Sequence, residues 1–372
     1  MRIWAITVCM LLCGILKTIW GYKMELLALD ANFAPVGYLT YINLQWNREY
    51  YSPGKFSVQI PAGVYAENMA YIYTPERPET GSIQKVELTE NIKGRFVQLS
   101  GYFLENALND KVVYPTYYAA GSSMAADVIR MIKEYKADIP LLEVEDAPQI
   151  VETNNSVWQE TGGQLGTAAW KRLQGIECGL RCVYDYKQNK TFCGVWQGKD
   201  RTQGQTENPF VTFADGFGNL TAVDASSDNS NYKNYAIVAG QDQGENRKVA
   251  VADLSSGGYK KQIYFDSRNS RWDPEKQTEA EYLESLQQEG FERLLDYQTI
   301  NNVDINASAG GYKYRQDWDL GDKVDVIVAD AGISMEARIV TVREVHKENN
   351  TTITIELGNK KLTTLKKARL IH

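Results

Sequence analysis

Residues 38–61 read YLTYINLQWNREYYSPGKFSVQIP. Phe56, Val58 and Ile60 alternate with Lys55, Ser57 and Gln59, the two-residue period of a strand with one buried face. Tyr50-Tyr51-Ser52-Pro53-Gly54 is turn chemistry, because Pro and Gly preset the backbone angles that a turn needs. Upstream, Tyr38 to Ile42 leads into Leu44 and Trp46. Downstream, Pro61 stops the pattern, since proline cannot donate to a ladder. Strand, turn, strand is therefore the unit from which this part of the chain is built.

The same grammar extends outward. Met24 to Asp30 reads as an N-terminal strand. Ile83 to Leu88 and Phe96 to Leu99 read as two more, separated by a turn at Asn91-Ile92-Lys93-Gly94. After about Tyr114 the period changes. Ser122-Ser123 forms a helix N-cap, followed by Met124, Val128, Met131, Ile132 and Tyr135 at helical spacing. Thr161-Gly162-Gly163-Gln164 resembles a capping box ahead of Leu165, Ala169 and Leu173, with a stop at Gly175. Leu180, Cys182, Tyr184 and Tyr186 alternate along a strand. A second arm returns from Phe192 to Trp196 around a turn at Lys187–Lys190. Strands resume at Phe210–Phe213, Tyr235–Ala239 and Val249–Val251. Thr278 to Glu281 is a second capping box, opening a helix through Leu283, Leu286 and Leu294 that Gly290 weakens. Lys323–Val328, Ile333–Val345 and Thr351–Leu357 are strands, with turns at Asp330-Ala331-Gly332 and Glu348-Asn349-Asn350. The fold class is α+β with strands dominant.

Composition narrows the chemistry. At 372 residues the chain has room for two or three domains. The 47 acidic and 40 basic residues give −7, which excludes a binder that works by neutralising phosphates. Only two histidines exist, His346 and His372, so mechanisms built on a histidine base or a histidine-held metal lose their main group. The 23 tyrosines suit half-buried strand faces and interfaces, where a ring packs and a hydroxyl stays wet.

No constellation reads as a catalytic, cofactor-binding or metal site. Gly162-Gly163, Gly257-Gly258 and Gly310-Gly311 do not form a phosphate-cradling loop. Asp215-Gly216-Phe217-Gly218 matches a kinase magnesium motif only if a residue is skipped. Asp228-Asn229-Ser230-Asn231 lacks the twelve-residue calcium pattern. Glu143, Glu145 and Asp146 could serve a glycosidase as paired carboxylates, but acidic loops are usually solvated. Cys178, Cys182 and Cys193 are spaced C-x3-C-x10-C without a histidine to complete a zinc tetrahedron. Cys182 and Cys193 fall on the two hairpin arms and read as packed, reduced thiols.

The first 23 residues differ from the rest. Ile3 to Leu16 is apolar, between Arg2 and Lys17, too short to span a bilayer as a helix. It fits the apolar region of a secretory signal, but no small-residue cleavage pair follows. An over-extended start before Met24 is the plainer reading, with a signal or anchor as the alternative. Lys360, Lys361, Lys366, Lys367 and Arg369 make a basic tail, read as a solvated terminus.

Several segments resemble one family. They are Asp30–Gly37, Trp46–Phe56 (WNREYYSPGKF), Val97–Tyr102 (VQLSGY), Gln197–Thr202 (QGKDRT), Phe213–Asn219, Tyr235–Gly240 (YAIVAG), Tyr282–Gly290 and Asp317–Asp322 (DWDLGD). Their order and spacing from Met24 to about Asn359 resemble a siphophage tail protein family, the Gp37-like tail-tip or baseplate-hub proteins of phages and prophages. The leader has no counterpart in that pattern. The resemblance implies two small β-barrel tube domains per subunit and a trimeric, pseudo-sixfold ring that continues the tail tube. The expected first barrel takes 24–113 and 208–228, with an αββ insertion at 114–207. The expected second barrel takes 232–359, with an inserted helix at 278–297. Partners implied are further copies of the chain and neighbouring tail proteins: distal tail protein, tape measure, and tail fibre or lysin. Stable nucleic-acid binding, a membrane in the mature form and cofactors are not expected. The expected place is the virion tail tip, after assembly in the bacterial host cytoplasm. Some relatives carry a C-terminal peptidoglycan hydrolase, and this chain stops after its basic tail. The alternatives are a tail-associated cell-wall hydrolase and a secreted surface-binding protein.

Overall fold

A computed structural model describes residues 24–358 apart from 93, 122, 151–156, 215–216, 218, 298–299, 308–310, 329–332 and 348–349. The leader, the basic tail, Ser122, Asp215, Gly216, Gly218, Gly310 and the turn residues Lys93, 330–332 and 348–349 lie outside the described residues. The chain divides into two compact units.

The first unit holds the described residues up to Asn47, then Lys55–Phe103 and Arg343–Ile353. Its strands are β1 (Leu27–Leu29), β2 (Pro35–Tyr38), β3 (Asn43–Glu49), β4 (Lys55–Pro61), β5 (Tyr71–Tyr73), β6 (Gly81–Asn91) and β7 (Gly94–Phe103). β4, β7, β6, β5, β1 and β2 lie side by side, antiparallel, with β3 on β4. The alternation in β4 sets the core: Phe56, Val58 and Ile60 are buried with Leu44, Trp46, Val97, Leu99 and Phe103. Trp46 packs on Phe103 with ring centroids 4.6 Å apart. Tyr38 to Ile42 does not form one strand. β2 ends at Tyr38 and β3 opens at Asn43, because Leu39 turns inward and donates its N–H to the Leu26 carbonyl (2.9 Å). In this unit Glu344 is fully buried between the Arg77 guanidinium and His346 Nε2, and His346 Nδ1 meets Thr351 Oγ1 at 3.1 Å.

The second unit holds Arg48–Gly54, Leu104–Val342 and the described residues from Thr354. Strand β8 (Tyr117–Tyr118) precedes helix α1 (Met124–Tyr135). Ser123 caps α1 by accepting the Ala126 N–H (3.1 Å), and every apolar position read from the spacing is buried. β9 (Leu142–Val144) and β10 (Gln159–Glu160) lead to helix α2 (Leu165–Gly175). The capping box read at Thr161 is not formed: α2 opens at Gln164 without a side-chain cap. The Gly162–Gly163 backbone instead exchanges hydrogen bonds with Val113 (2.8 and 2.9 Å), and Thr161 Oγ1 bonds Thr116 Oγ1. Long-range pairing thus wins over the local cap. Helix α2 still buries Leu165, Ala169 and Leu173 and stops at Gly175.

β11 (Gly179–Asp185) and β12 (Lys190–Trp196) form the expected hairpin, joined by β9 into a three-stranded sheet. Then follow β13 (Thr212–Ala214), β14 (Leu220–Asp228), β15 (Tyr235–Ala239), β16 (Val249–Asp253) and β17 (Gln262–Asp266). Helix α3 (Glu279–Leu295) opens on the reciprocal Thr278–Glu281 capping box. β18 (Ile300–Ala307), β19 (Lys323–Val328), β20 (Ile333–Lys347) and β21 (Asn350–Gly358) complete the chain. β14 pairs with β18, β18 with β21, and β19 with both β13 and β20. The fold class, strand-dominated α+β, agrees with the sequence reading. Among the described residues no sheet closes on itself.

Strands β16, β15 and β17 make a small sheet whose buried face is almost all alanine and valine: Ala236, Val238, Ala250 and Ala252. Small side chains let a helix approach closely, and α3 lies there. Gly290 is the contact point rather than a weakness. A Cβ at Gly290 would stand 2.8 Å from both Ala252 Cβ and Val238 Cγ2. Gly290→Ala should therefore destabilise despite the roughly 1 kcal/mol that alanine gains as a helix former. Overpacking costs about 1–3 kcal/mol. A melting curve of the variant should fall below wild type; a rise would show that α3 can back away from the sheet.

Candidate functional site

Three segments far apart in sequence meet in the second unit: Arg48–Tyr51, Gln197–Thr202 and Asp317–Asp322. Their centre is Asp322, which is buried. Its Oδ2 accepts from Arg201 Nε at 2.6 Å and from the Asp319 N–H at 3.1 Å. Its Oδ1 accepts the Lys199 N–H at 2.8 Å. One carboxylate thus neutralises a buried guanidinium and ends two backbone segments. Local chemistry prepares this. Asp319 Oδ1 accepts the Leu320 N–H (2.7 Å), and Asp322 N–H returns to the Asp319 carbonyl (3.2 Å), closing a tight turn. Gly321 sits in that turn at φ +83°, the left-handed region that glycine enters freely.

The turn is pressed against the second segment. Lys323 N–H donates to the Lys199 carbonyl (2.9 Å) and Arg201 N–H to the Lys323 carbonyl (2.8 Å), so 199–201 runs parallel to the start of β19. A Cβ at Gly198 would lie 1.9 Å from the Gly321 carbonyl oxygen. The approach is possible only without a side chain at 198.

Arg48 and Tyr50 bring in the first segment. Arg48 is buried, pairs with Asp319 and donates to the Tyr314 hydroxyl at 2.8 Å. The Tyr50 hydroxyl accepts the Gly198 N–H (3.2 Å) and lies within donating distance of the Glu177 (3.1 Å) and Trp196 (3.3 Å) carbonyls. Its ring meets Trp196 edge-on at 4.9 Å. Burial pushes the Tyr50 and Tyr51 phenols well above their ordinary range, so both stay protonated. Arg338 donates to the Gly321 carbonyl and to Glu177, and Lys323 pairs with Glu336. These four charges line an open cavity beside Tyr51 and cancel in pairs. The arrangement fixes backbone geometry; its charged groups are committed to one another.

The residues weighed for chemistry do not gather here. Glu143 pairs with Lys190 (2.8 Å) and Asp146 with Lys133 (2.7 Å); each lysine's hydrogen bond holds the carboxyl below its usual range, unlike a general acid. Cys182 and Cys193 face each other across β11 and β12, free and buried, and hydrogen bonding with Cys193, then burial, pushes the Cys182 thiol up. Cys178 is also buried, and its thiol donates to the Ile176 carbonyl at 3.4 Å. Asn229 to Tyr232 closes a turn, and Gly257 sits in another at φ +82°. Among the described residues no three His, Cys, Asp or Glu side chains are grouped to hold a metal ion. No described helix is long and apolar enough to cross a membrane. The Arg48, Arg201, Asp319 and Asp322 junction received no role from the sequence alone, although all four lie in segments that carried the resemblance.

Asp322→Ala leaves Arg201 buried and unpaired, which costs about 3–5 kcal/mol. Thermal or urea unfolding should show that loss, whereas Asp146→Ala, on an exposed pair, should shift stability by well under about 1 kcal/mol. Equal effects would mean that the buried pair is not a tie.

Solved structures share the fold. The tail protein from Neisseria meningitidis MC58 is 14% identical, with a TM-score of 0.56 over 91% of this chain and 97% of that one. The prophage MuSo2 43 kDa tail protein from Shewanella oneidensis is 12% identical, with a TM-score of 0.54 over 90% and 98%. The prophage tail protein gp18 from Listeria monocytogenes EGD-e is 12% identical, with a TM-score of 0.53 over 94% and 98%. No curated protein matches the chain. The family described as Siphovirus ReqiPepy6 Gp37-like protein matches residues 25–359, nearly all that the structure describes, and the chain belongs to that family of siphophage tail proteins.

Proposed function

We propose that the chain is a structural, non-enzymatic tail-tip or baseplate-hub subunit. Copies of it close into a ring, a homotrimer, that continues the tail tube. The observation that carries this reading is the family match over residues 25–359 on a strand-dominated fold shared with tail proteins. The junction around Asp322 supports it, because its charges hold chain segments together and leave none poised for reaction.

In this reading the two tube domains are 24–113 with 208–228, and 232–359 with the helix at 278–297; 114–207 is an insertion. The subunit sits at the virion tail tip and is assembled in the bacterial host cytoplasm. It contacts the distal tail protein, the tape measure, and a tail fibre or lysin. A ring through which DNA passes must not hold it. Phosphates are repelled by a wall of like sign, and attraction would act as friction. The −7 charge per chain suits an inner wall with acidic side chains in excess and the basic tail outside it.

Light scattering of the full chain at micromolar concentration should give a cyclic oligomer. DNA binding, measured as salt is varied, should be weak throughout. A monomer under all conditions counts against the ring. Tight DNA binding that weakens steeply with salt overturns the acidic wall.

A further inference from the structure

Strand β6 is eleven residues long, but β5 covers only its start, through Tyr71 with Ser82 and Ile72 with Gly81. From Lys85 to Glu90, β6 pairs with β7 alone among the described residues. Along such an edge every second residue directs its N–H and C=O away from the partner strand, a template for another chain.

The side chains there are as telling as the backbone. Val86 stands opposite Leu99 and Leu88 opposite Val97. Cross-strand partners share a face. Leu99 and Val97 are 0% and 3% exposed, whereas Val86 and Leu88 are 45% and 67% exposed. Ile92, at the hairpin tip, is fully exposed. The apolar face of the sheet therefore continues outward along β6 beyond anything that covers it among the described residues. The charges along it are satisfied by near neighbours: Lys85 pairs with Glu87 (2.8 Å) and Glu90 with Arg95 (3.0 Å).

Strand β14 is a matching edge. Among the described residues it pairs with β18 only and ends its sheet. It is nine residues long, LTAVDASSD, without the lysine or proline that commonly blocks an edge. Two different edges of one chain, joined between copies, make a heterologous contact. Repeated about an axis, that contact closes a ring, where a like-with-like contact would stop at a dimer.

We propose that the Lys85–Glu90 edge of β6 is where one copy of this chain joins the next, with β14 of the neighbouring copy adding alongside it. This inference rests on the ring reading above and names the surface that would close it. The test compares the full chain with the Val86→Lys, Leu88→Lys double variant by light scattering over a concentration series. Both side chains are exposed in the single subunit, so its folded circular-dichroism spectrum should stay that of wild type while self-association weakens by roughly tenfold or more. A benzophenone amino acid placed at position 88 should cross-link to peptides within Leu220–Asp228 of another copy. If the double variant assembles like wild type, the edge assignment is wrong and the ring reading stands. Cross-links that land elsewhere on the chain overturn β14 as the partner. A wild-type chain that stays monomeric at every concentration defeats the ring reading and this one with it.

Discussion

The second unit depends on a buried charge pair, Arg201 with Asp322. Neither group belongs in an apolar interior alone, since desolvating a charge costs more than most contacts return. Each is tolerable only if the other stands in place, and that condition fixes the neighbours. Asp322 must also receive the Lys199 and Asp319 N–H groups, because a buried carboxylate needs its remaining lone pairs filled. Gly198 and Gly321 must lack side chains, or the segments cannot come close enough for those bonds. Arg48 then ties Asp319 to the chain near residue 50. Buried pairs contribute little net stability against apolar substitutes. Their effect here is to permit one arrangement of three segments and to penalise the others.

Much of the rest was legible because it is local. Alternation in Lys55–Ile60 named the buried face of β4. Capping chemistry named the start of α3, where Thr278 and Glu281 lie three residues apart and need no help from elsewhere. The Cys182 and Cys193 pairing followed from a hairpin whose turn residues set the register. Thr161 shows where that logic ends. Its box has suitable letters, but Val113, some fifty residues earlier, claims the Gly162–Gly163 backbone. Gly290 shows the opposite failure: helix propensity marks it as a defect, while the alanine face beneath it makes glycine the residue that fits.

The junction could not be read for a simpler reason. Its ion pairs Arg201–Asp322 and Arg48–Asp319 join residues 121 and 271 positions apart. Periodicity tells which side of a strand is buried but not which other strand it will meet. A charged residue inside a motif looks the same whether it points to solvent or to a partner. Asp317–Asp322 and Gln197–Thr202 were recognisable as family segments without any indication that they touch.

The two kinds of polar placement then explain each other. Charges at the junction are committed to several partners at once, so none can be withdrawn without undoing the others. Charges on the β6 hairpin are paired with near neighbours on the surface, where such pairs are weak and easily rearranged. Exposed backbone and apolar side chains on β6 lie among these weak pairs. An incoming strand there displaces little that is strongly held, and gains both a ladder and the burial of Val86 and Leu88. Full burial of an exposed apolar side chain of that size is worth about 1.5–3 kcal/mol, and Val86 and Leu88, 45% and 67% exposed, have part of that still to gain. Strain is therefore best resisted at Asp322, and new contacts are most cheaply made along β6. A tail subunit needs both properties, and this chain keeps them in separate places.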